Sequence, residues 1–332
     1  MDLVAVGITG IGSYVPNTVL TNQDLEKMVD TSDEWITTRT GISRRHIAPE
    51  GTASSDLGVL AAERALKSAG RTPGQVDLIV ATTASPDLIW PSTACLIQAK
   101  LEASKAVAFD VSAACTGFVY ALTVAAQFVM TRTYKTVLVV GADAISRFID
   151  WTDRNTCVLF GDGAGAVVLE EVEPGYGLLS SYLGADGKGS DLLNIPAGGS
   201  AKPANIETVE ERLHFIKMNG NEVFKFATRA TIDAANKALK ASGIKEEEVD
   251  FLIPHQSNQR IIEAAARRLH VANDRVVSNI QEYGNTSTAS IPLAIDEIWQ
   301  AGRIKKGDIL LTVGFGGGLT WGANVIRWSK DR

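Results

Sequence analysis

The sequence predicts an α/β protein assembled from two similar halves and stacked as five layers, αβαβα. Three observations carry this expectation. A helix-then-strand unit recurs at one fixed offset, its strands are short apolar runs of the kind buried in a sheet, and one long uncharged segment has the all-round apolarity of an innermost helix.

Taken in order, Ala65-Leu66-Lys67-Ser68-Ala69-Gly70 followed by Val76-Asp77-Leu78-Ile79-Val80 returns 173 residues later as Ala238-Leu239-Lys240-Ala241-Ser242-Gly243 followed by Val249-Asp250-Phe251-Leu252-Ile253. The same offset carries Val137-Leu138-Val139-Val140-Gly141 onto Leu310-Leu311-Thr312-Val313-Gly314. Both are apolar runs ending in glycine, as buried strands should be. The repeat divides the chain into halves of 1–174 and 175–332, each a helix-strand-helix-strand module. The uncharged run 111–131 begins as a strand and carries Ser112, Thr116, Gly117, Thr123 and Gln127, which predicts a buried central helix rather than a membrane span. Its counterpart begins near Asn285 to Ser290 and continues through Ile291, Leu293, Ala294, Ile295 and Ile298. A duplicated fold brings related positions together about a pseudo-twofold axis, so Cys115 and Asn285 are expected to lie close.

Composition narrows the function. With 332 residues, 45% of them hydrophobic and 21% charged, the chain should fold throughout. A net charge of −6 argues against a general nucleic-acid binder. Met1 leads at once into the strand-like Leu3 to Ile8 without a basic leader, which predicts a cytosolic, non-membrane protein. The three cysteines, Cys95, Cys115 and Cys157, show no CxxC spacing and no nearby histidine, so neither a disulfide framework nor a metal site is expected.

Four positions suit chemistry. Cys115 sits between a strand and the start of the buried helix, where the helix dipole and free N–H groups favour a thiolate and can hold an oxyanion. His255 follows Pro254 just past a strand end, the place where open α/β sheets bind ligands. Asn285 follows Gly284 in a run of short polar residues at a helix start. Phe315-Gly316-Gly317-Gly318 follows a strand and lets backbone N–H groups approach a reacting atom. Read singly, each has a plainer alternative: a packing cysteine, a structural histidine, an N-cap, a tight turn. His46, His214 and His270 have no such context and are read as structural. Two other glycine patterns, Gly7 to Gly12 and Gly161 to Gly165, do not open helices and so lack the geometry of a dinucleotide site.

Together, Ala113-Ala114-Cys115-Thr116-Gly117-Phe118, Pro254-His255-Gln256-Ser257-Asn258, Gly284-Asn285-Thr286-Ser287 and Gly314-Phe315-Gly316-Gly317-Gly318 resemble the thiolase-like β-ketoacyl-acyl carrier protein synthase III family. Supporting motifs are Asp30-Thr31-Ser32-Asp33-Glu34-Trp35, Thr38-Arg39-Thr40-Gly41-Ile42, Phe160 through Gly165, and Asn219 through Phe224, so the likeness spans almost the whole chain. The resemblance implies an acyltransferase with no metal or resident cofactor, performing a decarboxylating condensation that initiates fatty acid synthesis. Cys115 takes the acyl group from a short acyl-coenzyme A, with acetyl favoured, and its own N–H and that of Gly317 form the oxyanion hole. His255 and Asn285 stabilise the enolate formed when malonyl-acyl carrier protein loses carbon dioxide, and Phe315 gives apolar surface near the malonyl carboxylate. Asparagine at 285, where thiolases and elongating condensing enzymes carry a second histidine, favours the initiating type.

The resemblance also implies coenzyme A contacts from Thr31, Trp35, Arg39, Arg154 and Asn258, with Trp35 stacking on adenine. Arg39 lies at i+4 from Trp35 and shares its face if the segment is helical. A helix starting near Asn258 that buries Ile261, Ile262, Ala265 and Leu269 turns Arg260 and Arg267 to its opposite face, with Arg268 to one side. With Lys225 they suit an acidic carrier protein, the plainer alternative being a solvated charged face. Trp90 stands where phenylalanine is expected and would shorten the acyl pocket across a homodimer interface. The alternative function is a side-branch condensing enzyme of secondary metabolism with the same fold and another malonyl or acceptor thioester.

Overall fold

In the computed structural model, which describes residues 3–331, the apolar runs of the repeat become corresponding strands of two separate sheets. The first sheet runs in the order Val6–Tyr14, Gly163–Glu171, Val137–Asp143, Leu78–Thr82, Val107–Asp110. The second runs Gly177–Ala185, Thr320–Arg327, Ile309–Gly316, Phe251–Pro254. In each, the first two pairings are antiparallel and the next is parallel. The fifth strand of the first sheet, parallel to Leu78–Thr82, has no full counterpart: in the second half Val276 makes a single parallel bridge to Leu252.

The first strand begins at Val6 and reaches Tyr14, further than the Leu3 to Ile8 pattern foretold. Its apolar run weakens after Ile8, but Gly163–Glu171 pairs with it all the way, from Val6 opposite Glu171 to Tyr14 opposite Ala164. Tertiary pairing here overrides the weak local signal.

Helices cover both sheets and fill the space between them. Ser54–Ala69 and Thr93–Lys100 pack on the outer face of the first sheet through Leu57, Ala61, Ala65 and Ile97. Gly220–Ser242 and Gln259–Arg268 cover the second through Ala234, Ala238, Ala266 and their neighbours. The innermost layer consists of Gly117–Met130 and Ser290–Gln300, whose Phe118, Leu122, Ala126, Ile291 and Ile295 share one core with strands of both sheets. A helix buried between two sheets has little solvent-facing surface, and in Gly117–Met130 only Gln127 is exposed, which accounts for the uncharged run. Among the described residues, no helix is long and apolar enough to cross a membrane.

The outer helices Ser54–Ala69 and Gly220–Ser242 end alike, on Gly70 and Gly243 in the left-handed conformation (φ 66° and 72°). Their lengths differ, 16 against 23 residues. The second therefore has about two extra turns at its N-terminus, and these turns reach the site described next.

Replacing Leu122, 1% exposed in the central layer, by alanine should destabilise the protein by about 2–5 kcal/mol. A denaturation midpoint equal to that of the wild type would show that this helix does not carry the core.

Candidate active site

Two cavities meet at Cys115. The outer one, about 500 Å³, is walled by Arg39, by the extra turns from Gly220 to Lys225, and by Ser257, Asn258 and Arg260; it ends on Cys115, His255, Asn285 and Phe315. The inner one, about 310 Å³, is lined by Thr83, Ala84, Pro86, Ile145, Ile195, Ile216 and Gly317, with Cys115, Phe160 and Leu193 common to both. The thiol thus stands where a polar-mouthed passage gives way to a mostly apolar chamber.

Cys115 lies in a short 3-10 turn, Ala114–Thr116, that leads into Gly117–Met130. Ala114, just before it, has φ 45°, an uncommon left-handed conformation for a residue with a side chain. Gly316 packs directly beside Cys115: a Cβ there would fall 2.7 Å from the Cys115 nitrogen, so only glycine fits. The helix start was expected to lower the thiol pKa, but the resting protein differs. Burial pushes the Cys115 thiol up to about 11, against the opposing pull of a hydrogen bond from Ser287 Oγ to Sγ at 3.4 Å. Desolvation of a nearly enclosed sulfur outweighs the turn's favourable end, so the unliganded thiol is protonated at neutral pH.

His255 is carried past the end of Phe251–Pro254, its N–H donating to the Val313 carbonyl at 2.7 Å. Its Nδ1 lies 2.7 Å from Ser290 Oγ, and its ring packs edge-on against Phe315 with centroids 5.4 Å apart. Burial holds its pKa down at about 3, so the imidazole is neutral. Nε2 has no protein partner among the described residues.

Asn285 is fixed by backbone bonds to both sides of Phe160: its N–H donates to Leu159 O and its carbonyl accepts from Gly161 N. The run from Gly161 to Gly165, rejected as a nucleotide loop, enters the strand Gly163–Glu171 and seats this asparagine. Asn285 Oδ1 accepts from Ser287 N at 2.9 Å, leaving Nδ2 without a protein partner among the described residues. The cavity end therefore offers an amide N–H and one imidazole nitrogen for a ligand carbonyl, beside a thiol.

At the mouth, Asp33–Thr40 is helical as the Trp35 and Arg39 spacing requires, with Ser32 capping its start. The guanidinium groups of Arg39 and Arg154 each lie 4.9 Å from the Trp35 ring centroid. Thr31 Oγ1 is buried without a hydrogen-bond partner. Of the five residues expected to bind the nucleotide arm, Arg39 and Asn258 line the outer cavity while Thr31, Trp35 and Arg154 do not. Asn258 is already engaged: Oδ1 accepts from Arg260 N at the start of Gln259–Arg268, and Nδ2 donates to Arg39 O. Its neighbour Ser257, which sequence reasoning passed over, has a buried, unpartnered hydroxyl and lines the cavity. Only the adjoining histidine motif hinted at it.

Lys225 and Arg260 border the same mouth, Arg260 over the Phe224 ring, while Arg267 and Arg268 lie further along an exposed face. Arg229, one turn beyond Lys225, extends this face and was not foreseen. Trp90 lies outside both linings; it is 83% exposed at a loop tip with Leu88 and Ile89. His46, His214 and His270 bond to Pro16 O, Thr208 and Glu246, away from the site. Among the described residues, no group of three metal-ligating side chains converges.

Two family models match the chain: 3-oxoacyl-[acyl-carrier-protein (ACP)] synthase III over residues 109–187 and the C-terminal part of the same family over 239–328. The chain is 57% identical to a β-ketoacyl-[acyl-carrier-protein] synthase III of Caldanaerobacter subterraneus subsp. tengcongensis, covering 99% of both chains. It is similar in structure to the 3-oxoacyl-[acyl-carrier-protein] synthase III of Aquifex aeolicus VF5, with TM-score 0.90, 47% identity, and 97% of this chain and 100% of that one covered. The priming β-ketosynthase of the R1128 polyketide pathway gives TM-score 0.92 at 33% identity, with 100% of this chain and 98% of that one covered.

The neutral His255 has a pH consequence. A histidine in the unfolded chain takes a proton below about 6.5, whereas His255 in the folded protein resists until about 3. Its contribution to stability is thus full above pH 6.5 and declines as pH falls toward 3. Nitrogen NMR of labelled histidine should report a neutral ring at pH 5, and stability relative to His255→Gln should fall on acidification from 6.5. A ring titrating near 6.5 would contradict the burial argument.

Proposed function

The chain belongs to the 3-oxoacyl-[acyl-carrier-protein] synthase III family, and from that premise we propose that Cys115 accepts the acyl group of an acyl-coenzyme A and passes it to a carbanion made from malonyl-acyl carrier protein. The observation that carries this reading is the shared cavity end, where a thiol faces unpaired donors from His255 and Asn285.

In the first stage the Cys115 sulfur bonds to the thioester carbon, the bond to the coenzyme A sulfur breaks, and the thiol proton leaves on coenzyme A. The N–H groups of Cys115 and Gly317 hold the oxyanion. In the second stage the malonyl thioester oxygen accepts hydrogen bonds from Asn285 Nδ2 and His255 Nε2 while the carbon–carboxylate bond breaks. That role requires the proton on Nε2, so Ser290 Oγ–H donates to Nδ1. Phe315, beside His255, keeps water from the departing carboxylate. The new carbanion attacks the acyl carbon, and Cys115 departs as thiolate. The neutrality of His255 suits a hydrogen-bond donor that takes no proton itself.

Trp35 is the stacking surface for adenine, which enters between its ring and the Arg154 guanidinium, with Thr31, Ser257 and Asn258 along the nucleotide and pantetheine arm. Carrier protein docks on Lys225, Arg229, Arg260, Arg267 and Arg268. The inner cavity holds a short primer, acetyl before branched acids. The halves are 1–174 and 175–332, and the protein acts as a cytoplasmic homodimer in fatty acid synthesis. Dimerisation is supported by the exposed tip Leu88, Ile89 and Trp90 and by the free edge of Val107–Asp110. Asp110 joins the two: its carboxylate accepts from Thr93 N and Ala94 N, just past the loop. In the dimer Trp90 would close the partner's acyl chamber. The likeness to a polyketide priming enzyme keeps the side-branch reading as the alternative.

With acetyl-coenzyme A as primer, wild type should release labelled carbon dioxide from malonyl carrier protein and form a β-ketoacyl product, and Cys115→Ser should do neither. Removing the donor at Asn285 with Asn285→Ala should slow turnover by about 10²–10³. No release with any short primer would move the assignment to the side-branch enzyme. Trp90→Phe should broaden the accepted primers toward branched chains, and an unchanged chain-length profile would remove Trp90 from the pocket.

A further inference from the structure

Ser287 has no part in the chemistry assigned so far, yet its hydroxyl is spent on the nucleophile. The residue is fully buried, and Oγ donates to Cys115 Sγ at 3.4 Å and to no other atom among the described residues. Its backbone is in the left-handed region, φ 50°, which a residue with a side chain adopts only when its surroundings enforce it. Two contacts do so. The Ser287 N–H is held by Asn285 Oδ1, and Thr288, next in the chain, donates from both N and Oγ1 to Asp143 Oδ2. The repeat supplies the facing partner: 173 residues earlier stands Ala114, φ 45°, immediately before Cys115. Two strained turns at related positions, Ala114–Thr116 and Ser287–Ala289, thus aim the thiol of one at the hydroxyl of the other.

We propose that Ser287 is a further catalytic residue, whose hydroxyl donates to the Cys115 sulfur and stabilises its thiolate both when it attacks the acyl thioester and when it leaves after condensation. This rests on the reading of Cys115 as the acyl acceptor. Ser287 keeps its own proton in both stages: the thiol proton leaves on coenzyme A in the first, and the departing Cys115 thiolate takes a proton from solvent after the second. The need for such a donor follows from the burial that disfavours the charged sulfur. The malonyl thioester is held by His255 and Asn285, so decarboxylation itself does not involve Ser287.

The test uses Ser287→Ala and Ser287→Gly, the second relieving the left-handed backbone while also lacking the hydroxyl. A hydrogen bond to a charged group is worth roughly tenfold or more in an equilibrium. Iodoacetamide alkylation of Cys115 should therefore shift to higher pH by about one unit in both variants. Acyl transfer from acetyl-coenzyme A should slow about tenfold or more. Uncoupled decarboxylation of malonyl carrier protein should be the same in Cys115→Ala and in Cys115→Ala combined with Ser287→Ala. An unshifted alkylation profile in both folded variants would overturn the proposal. So would an equal loss of decarboxylation, which would make Ser287 a support for Asn285. If wild-type Cys115 is not acylated by any acyl-coenzyme A, the underlying reading fails instead, and the alkylation profile still reports the hydrogen bond.

Discussion

The site hangs on one buried carboxylate. Asp143, at the end of Val137–Asp143, is inaccessible to solvent; its Oδ1 accepts from Thr83 Oγ1, Ala84 N, Ser85 N and Ser85 Oγ, and its Oδ2 from Thr288 N and Oγ1. A carboxylate removed from water is tolerated only when its lone pairs are satisfied, and these donors do so without a cation. The geometry they impose joins two things far apart in the chain. Thr83 and Ala84 line the inner chamber, while Thr288 lies within the turn Ser287–Ala289, just after Asn285. The chamber and the turn that carries Ser287 are therefore positioned by a single group.

A duplicated fold offers two related sites, and side-chain choice leaves an open cavity end in only one of them. At the repeat offset, Thr288 corresponds to Cys115, Thr82 to His255 and Gly117 to Ser290. The second set is packed shut. Thr288 Oγ1 is taken up by Asp143, and a Cβ on Gly117 would lie 1.9 Å from Thr82 Oγ1. The same asymmetry appears one layer out, where the longer helix Gly220–Ser242 adds turns that wall the outer cavity.

Burial sets the electrostatics of the remaining site. It raises the thiol of Cys115 and lowers the imidazole of His255, which favours a neutral resting pair over a thiolate and imidazolium. Each of the two groups has a hydroxyl already in place beside it, Ser290 Oγ at His255 Nδ1 and Ser287 Oγ at Cys115 Sγ.

The sequence by itself determined the duplicated αβαβα architecture, because strand and helix patterning is local and a repeat preserves it at a fixed spacing. It also determined which of the cysteines, histidines and asparagines to consider, since Cys115, His255 and Asn285 each sit at an element end with its own short motif. Only the tertiary structure decided how these groups behave. Asp143 meets Thr288 across 145 residues and Ser287 meets Cys115 across 172, contacts that no periodicity announces. The protonated thiol, the engaged Asn258 and the outward Trp90 likewise follow from what the completed fold encloses or leaves exposed. Desolvation and partner geometry belong to the packed whole, and a side chain's neighbours in sequence do not specify them.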